Sequence, residues 1–222
     1  MPTPSLNTFL LWCLGAYLAG SIPFGLILVK LAGKGDVRTQ GSGNIGATNV
    51  LRTGGKALGI LTLALDVAKG FAPVFLAKHF GCPDGANVAL SWVALSATTG
   101  HIFTPWLKFQ GGKGVATALG AMLGYHPALA LPSVAGFALC LGIFRYVSLG
   151  SVIAALLLIP AALGFFGAWA CLPLTGDLAR YGIVAWILLP MLVVRRHAAN
   201  IQRLIKGTES RLWGATKEQK NA

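Results

Sequence analysis

The chain has 222 residues, 55% of them hydrophobic and 11% charged, with a mean hydropathy of +0.69. This excludes a soluble globular enzyme, in which about 25% of residues are charged, and at about 20 residues per crossing it leaves room for six or seven membrane helices and no separate soluble domain. Eighteen Lys and Arg against six Asp and Glu give a net charge of +12, read first as topology and second as attraction for anionic substrates and lipid headgroups.

The first apolar run, about 8–29, precedes Lys30, the first charge of the chain, so it reads as a retained anchor and not a cleaved signal. Within it, Gly20-Ser21-Ile22-Pro23-Phe24-Gly25 predicts a kink, because Pro23 removes a backbone donor. The following loop, about 30–56, carries Gly41-Ser42-Gly43-Asn44-Ile45-Gly46-Ala47-Thr48-Asn49, with Arg52 and Lys56 just behind. In so apolar a chain this run cannot face lipid, where each unsatisfied polar group costs on the order of several kcal/mol. Its glycines allow consecutive N–H groups to curl into a concave nest at the start of a helix from Ala47. Ser42, Asn44 and Thr48 add neutral donors and Arg52 a forked cation, a set suited to phosphate. A plain capped turn is the competing reading, but it does not require a basic residue beside several side-chain donors.

Span two, about 57–77, places Asp66 and Lys69 on one face, which predicts an inward structural ion pair. Span three, about 87–106, leads into Gly100-His101 through Gly111-Gly112-Lys113-Gly114, where glycines bring the backbone close to a ligand and Lys113 presents an ammonium. Span four, about 114–124, is too short to cross upright and predicts a half-length or broken helix starting at the site. Spans five, six and seven run about 128–144, 149–168 and 180–194, with Ser151 at the entry of the sixth. His197 and Asn200, at i and i+3 beside Arg195 and Arg196, present two hydrogen-bonding heads together.

Seven spans put the N-terminus outside and the C-terminus in the cytoplasm, with 15 of the 18 basic residues on inner segments and every polar cluster on one cytoplasmic face. The expected fold is thus an all-α polytopic membrane protein, residues 1–222 forming one domain, with some helices short or broken.

Several motifs fail on context. Gly41-x-Gly43-x-x-Gly46 matches a dinucleotide fingerprint, with Asp66 at a suitable distance, but its flanks are membrane helices and not strands. Neither Lys56 nor Lys113 is followed by Ser or Thr, so there is no phosphate-loop frame. His79 and Asp84 have an acyltransferase-like spacing but fall on a predicted outer loop, and His101 and His126 read as core or interface residues. Cys13, Cys82, Cys140 and Cys171 form no metal-binding cluster and read first as buried or free thiols; Cys82 and Cys171 share the outer side, and a bridge between them is the lesser alternative. No metal or cofactor is expected. Nucleic acid is excluded as a partner, since no basic segment is interleaved with exposed aromatics.

At Gly20 to Gly25, Gly41 to Asn49 with Arg52, Leu65 to Gly70, His101 to Thr117 and His197-x-x-Asn200, the sequence resembles the bacterial acyl-phosphate:glycerol-3-phosphate acyltransferase family, of the membrane-embedded PlsY type. The resemblance implies a seven-helix inner-membrane enzyme with a cytoplasmic active site. Such an enzyme moves a fatty acyl group from acyl phosphate to the sn-1 hydroxyl of glycerol 3-phosphate, yielding lysophosphatidic acid without a cofactor, as the first acylation of phospholipid synthesis. It also implies membrane lipid and the enzyme that supplies acyl phosphate as partners. Carried over position by position, Ser42, Asn44, Thr48, Arg52, Lys113, Ser151, His197 and Asn200 hold the two phosphates, with Gly41, Gly43 and Gly112 beside them. Ser42, Arg52, Lys113, His197 and Asn200 are the candidate catalytic residues. Asp36 is the one acid expected near these loops, so the donor's own phosphate is the expected proton acceptor. The rival classes are a transporter of a phosphorylated metabolite and an anionic-lipid scaffold.

Overall fold

The computed structural model describes residues 5–81, 87–169 and 177–213, and every regular element among them is helical. Helices α1 (Leu6–Ser21) and α2 (Phe24–Leu31) are separated at Ile22-Pro23. A loop leads to α3 (Ala47–Thr53) and α4 (Lys56–Leu76), which runs on as a wider turn through Ala77–Gly81. Then come α5 (Asn87–Ile102), α6 (Val115–Tyr125), α7 (Pro127–Phe144), α8 (Val147–Trp169), α9 (Asp177–Arg196) and α10 (Ala198–Ile205). Cys82, Asp84 and Cys171 lie outside the described residues, and with them the cysteine pairing and the His79–Asp84 motif.

Among the described residues, four stretches are long and apolar enough to cross a membrane: Leu6–Leu31, Lys56–Gly81, Pro127–Phe144 and Val147–Gly164. The bent pair Gly182–Arg196 and Ala198–Ile205 makes a fifth if counted as one span. Leu10, Leu11, Leu14 and Leu18 of α1, with Leu131, Leu139 and Ile143 of α7, project outward, as lipid-facing side chains do. With 11 residues, α6 is about 16 Å long against a hydrocarbon core of about 30 Å. The sequence expectation of one span through about 106 gives way to an α5 that stops at Ile102, since the extended Thr104 precedes Pro105 and leaves the helical register.

Small residues let the helices meet backbone to backbone. A Cβ on Gly70 of α4 would fall 2.0 Å from the Thr117 carbonyl of α6, and one on Gly120 would fall 1.9 Å from the Val67 carbonyl. Where lipid is as apolar as the interface, such close approach supplies the packing energy. Buried Ala, Val, Leu and Met from α5, α6, α8 and α9 form the core around Trp186, whose indole N–H donates to Ser91 Oγ at 2.9 Å.

The break at Pro23 is stitched by side chains from other elements. Lys69 Nζ donates to the Ile22 carbonyl at 2.7 Å and pairs with Asp66 Oδ1 at 2.8 Å. Thr104 Oγ1 donates to the Ser21 carbonyl at 2.7 Å, and the Trp106 indole N–H donates to Ser21 Oγ at 2.8 Å. Each group satisfies a carbonyl or hydroxyl exposed by the break, which buried polar atoms require. The ion pair expected from the i, i+3 spacing is therefore present, and it also holds α1 and α2 in their bent arrangement.

Candidate functional site

The glycine-rich loop is organised by Asn49, a side chain that the sequence does not single out. Buried beneath the loop, its amide nitrogen donates to the carbonyls of Val37, Gln40 and Asn44 at 3.1, 3.0 and 2.9 Å, while its Oδ1 accepts from the Ser42 amide at 2.8 Å. Asn44 Oδ1 accepts from the Gly46 amide at 2.8 Å, and the Gly43 amide closes a turn on the Gln40 carbonyl at 3.0 Å. These bonds correct the expected nest: the amides of Ser42, Gly43 and Gly46 are spent inside the loop. What the loop turns to the interior is its side chains, with Arg52 one turn into α3.

The second loop folds back on the end of α5. The Gly111 and Gly112 amides donate to the carbonyls of Ile102 and His101 at 3.0 and 3.1 Å, satisfying the last turn of that helix. A Cβ on Gly112 would stand 2.0 Å from His101 Nε2, so the loop cannot approach with a larger residue there. Arg196 locks it from α9, donating to the Gly111 carbonyl at 2.7 Å and the Gly112 carbonyl at 3.2 Å. Lys113 is thereby aimed inward, and its Nζ donates to Asn200 Oδ1 at 2.6 Å.

Between α9 and α10 the chain bends by 55° at His197. The short α10 carries Gln202 and Arg203. His197 Nδ1 donates to the Val193 carbonyl at 2.8 Å, because a carbonyl only accepts, so in the neutral ring Nε2 carries the lone pair.

These elements enclose one cavity of about 820 Å³. Gly41, Ser42, Asn44, Thr48, Arg52, Lys113, Ser151, His197 and Asn200 all line it, so four segments remote in sequence converge. Gly43 and Gly112 do not line it, because their amides are turned into their own loops. Ser151 Oγ donates to the Val147 carbonyl at 2.8 Å, which leaves its lone pairs directed elsewhere. Below the polar end the walls become apolar: Leu119 and Met122 of α6 face Val134, Phe137 and Leu141 of α7. Ile60, Leu63 and Val134 line the cavity and are 54%, 47% and 44% exposed, so it opens sideways between helices.

One member of the polar wall lies in the C-terminal segment. Glu209 is 5% exposed and accepts at 2.7 Å from each of Ser148 Oγ, Asn200 Nδ2 and Arg203 Nε. Its neighbour Ser210 offers its carbonyl to Arg52 Nη2 at 3.3 Å. Asp36, by contrast, is tied to Arg38 at 2.6 Å and does not line the cavity, which overturns its expected standing as the one acid near the loops. Nothing in the local sequence marks Glu209; only the fold carries it inward.

Charge crowding sets the protonation of this wall. Burial lowers the Lys113 ammonium to about 8, with Glu209 opposing and Arg203, Arg52 and Arg196 reinforcing the fall. Burial takes His197 down to about 4, against the opposing bond to Val193. Burial would raise the Glu209 carboxyl, but its bonds from Asn200, Ser148 and Arg203 outweigh that and hold it below the ordinary carboxylate value.

Fold and site together define a class, a polytopic helical membrane protein with a cation-lined polar pocket continuous with an apolar cavity open toward lipid. The sequence profile of the family described as glycerol-3-phosphate acyltransferase matches residues 10–207. The chain is 47% identical over 202 residues to a glycerol-3-phosphate acyltransferase of Trichlorobacter lovleyi, covering 91% of this chain and 96% of the relative. It is 42% identical over 214 residues to that of Burkholderia ambifaria, covering 96% and 94%. A crystal structure of PlsY (YgiH), an integral membrane glycerol 3-phosphate acyltransferase in its glycerol 3-phosphate form, superposes with a TM-score of 0.79 at 38% identity, covering 93% of this chain and 96% of the other. Its lysophosphatidic acid form gives a TM-score of 0.75, covering 91% and 94%. This protein belongs to the glycerol-3-phosphate acyltransferase family and is an acyltransferase of the membrane.

Proposed function

We propose that the protein transfers a fatty acyl group from acyl phosphate to the sn-1 hydroxyl of glycerol 3-phosphate, giving 1-acyl-glycerol 3-phosphate and inorganic phosphate. The observation that carries this reading is a single cavity with Arg52 and Lys113 at one end and an apolar chamber, open between helices, at the other. The first end suits phosphate, the second an acyl chain, and their junction is where an acyl carbonyl and a hydroxyl meet.

Acyl phosphate is already activated, so the protein's task is to position the two reactants and stabilise developing charge. The hydroxyl oxygen attacks the acyl carbonyl carbon, the carbon–oxygen bond to phosphate breaks, and the phosphate departs with the electron pair. Arg52, Lys113 and the hydroxyls of Ser42 and Thr48 hold the phosphates, Ser151 joins them when its hydroxyl proton turns from the Val147 carbonyl to a phosphate oxygen, and Asn200 fixes the direction of Lys113. The donor's phosphate takes the hydroxyl proton. His197, at about 4, is a weaker base than a phosphate group whose second ionisation lies near 6, and Glu209 is engaged by three donors.

The finer topology is also our reading: seven crossings, N-terminus outside, C-terminus and cavity mouth on the cytoplasmic side of a bacterial inner membrane. The basic residues of the loops 30–56 and 108–114 and of the segment after Arg195 support it. Purified protein in lipid, given acyl phosphate and glycerol 3-phosphate, is expected to form lysophosphatidic acid and release equal phosphate. An absence of product, with uptake of glycerol 3-phosphate into vesicles, would instead establish a carrier.

A further inference from the structure

We infer that Leu212 decides which nucleophile reaches the acyl donor: it roofs the junction between the two ends of the cavity and keeps water away, so that the glycerol hydroxyl is acylated and water is not. The inference rests on the acyl-transfer reading above.

An acyl phosphate is open to attack by water as well as by an alcohol, and water outnumbers any dissolved acceptor. An enzyme that uses such a donor must exclude water where the carbonyl sits, or lose the donor to hydrolysis. After α10 the chain runs as an irregular strap, residues 210–213, from one wall of the cavity to the other. On the α3 side the Ser210 carbonyl accepts from Arg52 Nη2 at 3.3 Å. On the opposite side the Leu212 amide donates to the Arg145 carbonyl at 2.8 Å, where Arg145 ends α7 in the left-handed conformation. Between these two tethers Arg211 Nε donates to the Tyr146 hydroxyl at 3.3 Å, and its guanidinium carbon lies 5.4 Å from the centre of that ring.

The strap has two faces. Ser210, Arg211 and Trp213 are exposed, whereas Leu212 is partly buried and is the one apolar side chain of the strap that lines the cavity. Its anchor on Arg145 sets it beside Leu141 and Val147, which line the cavity from the end of α7 and the start of α8. Two positions back, Ser210 meets Arg52 of the polar end. Leu212 thus enters where the phosphate-binding wall gives way to the apolar chamber, the level at which carbonyl and hydroxyl meet. A branched alkyl group at that level gives a water molecule no hydrogen-bond partner, while the acceptor is carried in by its own phosphate on the cations.

The reaction held back is a simple one. The water oxygen attacks the acyl carbonyl carbon, the carbon–oxygen bond to phosphate breaks, and the phosphate leaves with the electron pair and takes up a water proton. Fatty acid and inorganic phosphate then replace lysophosphatidic acid as products.

Wild type, Leu212→Ser, Leu212→Ala and Leu212→Met test this in vesicles given acyl phosphate and saturating glycerol 3-phosphate. Fatty acid and lysophosphatidic acid are measured in the same sample, after subtracting hydrolysis by protein-free vesicles. The ratio of the two is internal to each sample, so a smaller folded fraction lowers both products together and leaves it unmoved. Leu212→Ser is expected to raise the ratio of fatty acid to lysophosphatidic acid about fivefold or more, and Leu212→Met, which keeps an apolar side chain of similar volume, to retain the wild-type ratio. Leu212→Ala decides by the same ratio if Leu212→Ser yields neither product. An unmoved ratio, or an equal rise in Leu212→Met, would overturn the inference while wild-type transfer upholds the acyl-transfer reading. Wild-type protein that makes no lysophosphatidic acid would overturn that reading, and this inference with it.

Discussion

Arg52 meets the Ser210 carbonyl through one nitrogen at 3.3 Å, a long bond that leaves most of its forked donor set for a phosphate. Arg52→Lys replaces that fork by a point charge and is expected to lower kcat/KM by at least tenfold, at about 1–3 kcal/mol for each charged hydrogen bond lost. Steady-state kinetics in glycerol 3-phosphate check it, and unchanged constants would remove Arg52 from the site. For Lys113, an ammonium lowered to about 8 is charged below that pH and neutral above it. Since kcat/KM reports the free enzyme, it is expected to hold up to about pH 8 and fall beyond it. In Lys113→Arg the guanidinium stays charged, so that limb is expected to vanish from the accessible range even if the rate is lower. His197→Gln is expected to retain the limbs of the wild-type pH profile at reduced rate, as suits a residue that binds and does not take the proton. Loss of an acidic limb in that variant would make His197 the base.

At the level of elements, the break between α1 and α2 shows how a buried ion pair serves geometry. Lys69 reaches Asp66 on its own helix and the Ile22 carbonyl across the break, with the Phe24 ring 5.6 Å from its nitrogen. Lys69→Met leaves a buried carboxylate without its cation and a carbonyl without its donor, and is expected to cost about 3–5 kcal/mol. Pairing it with Asp66→Leu is expected to recover much of that loss, because the uncompensated charge is then gone. Thermal unfolding in detergent measures both variants, and a Lys69→Met protein as stable as wild type would show that the pair does not hold the break. The same reasoning explains α6. The glycines before it let the chain cap α5 and turn, so a helix too short to cross begins at Gly114, at the edge of the polar wall.

Across the whole molecule, phosphate chemistry and acyl chain must meet at one depth of the bilayer, because a charged headgroup does not enter hydrocarbon and an acyl chain does not leave it. A cavity polar at one end and open to lipid along its side meets both demands. Single cysteines at Ser42, Lys113 and Asn200 are therefore expected to react with an impermeant thiol reagent from one side of sealed vesicles only, and a cysteine at Lys78 from the other. Reaction of the first three from different sides would break the common site.

Much of this was legible in the chain. Composition alone requires membrane helices, because 55% hydrophobic residues with so few charges cannot cover a soluble surface. Pro23, the i, i+3 spacing of Asp66 and Lys69, and the polar runs around Ser42, Lys113 and His197 each announce themselves locally, since their chemistry conflicts with the lipid around them. Tertiary structure decided what periodicity does not carry. It turned the amides of Ser42, Gly43 and Gly46 inward onto Asn49, the Gln40 carbonyl and Asn44, and withdrew Gly43 and Gly112 from the cavity. It also brought Glu209 from a polar tail into the wall while leaving Asp36 outside. A residue's type fixes which bonds it can make, but its partners come largely from other segments, Lys113 and Asn200 being 87 positions apart, and only the packing of small-residue helix faces determines which of those segments meet.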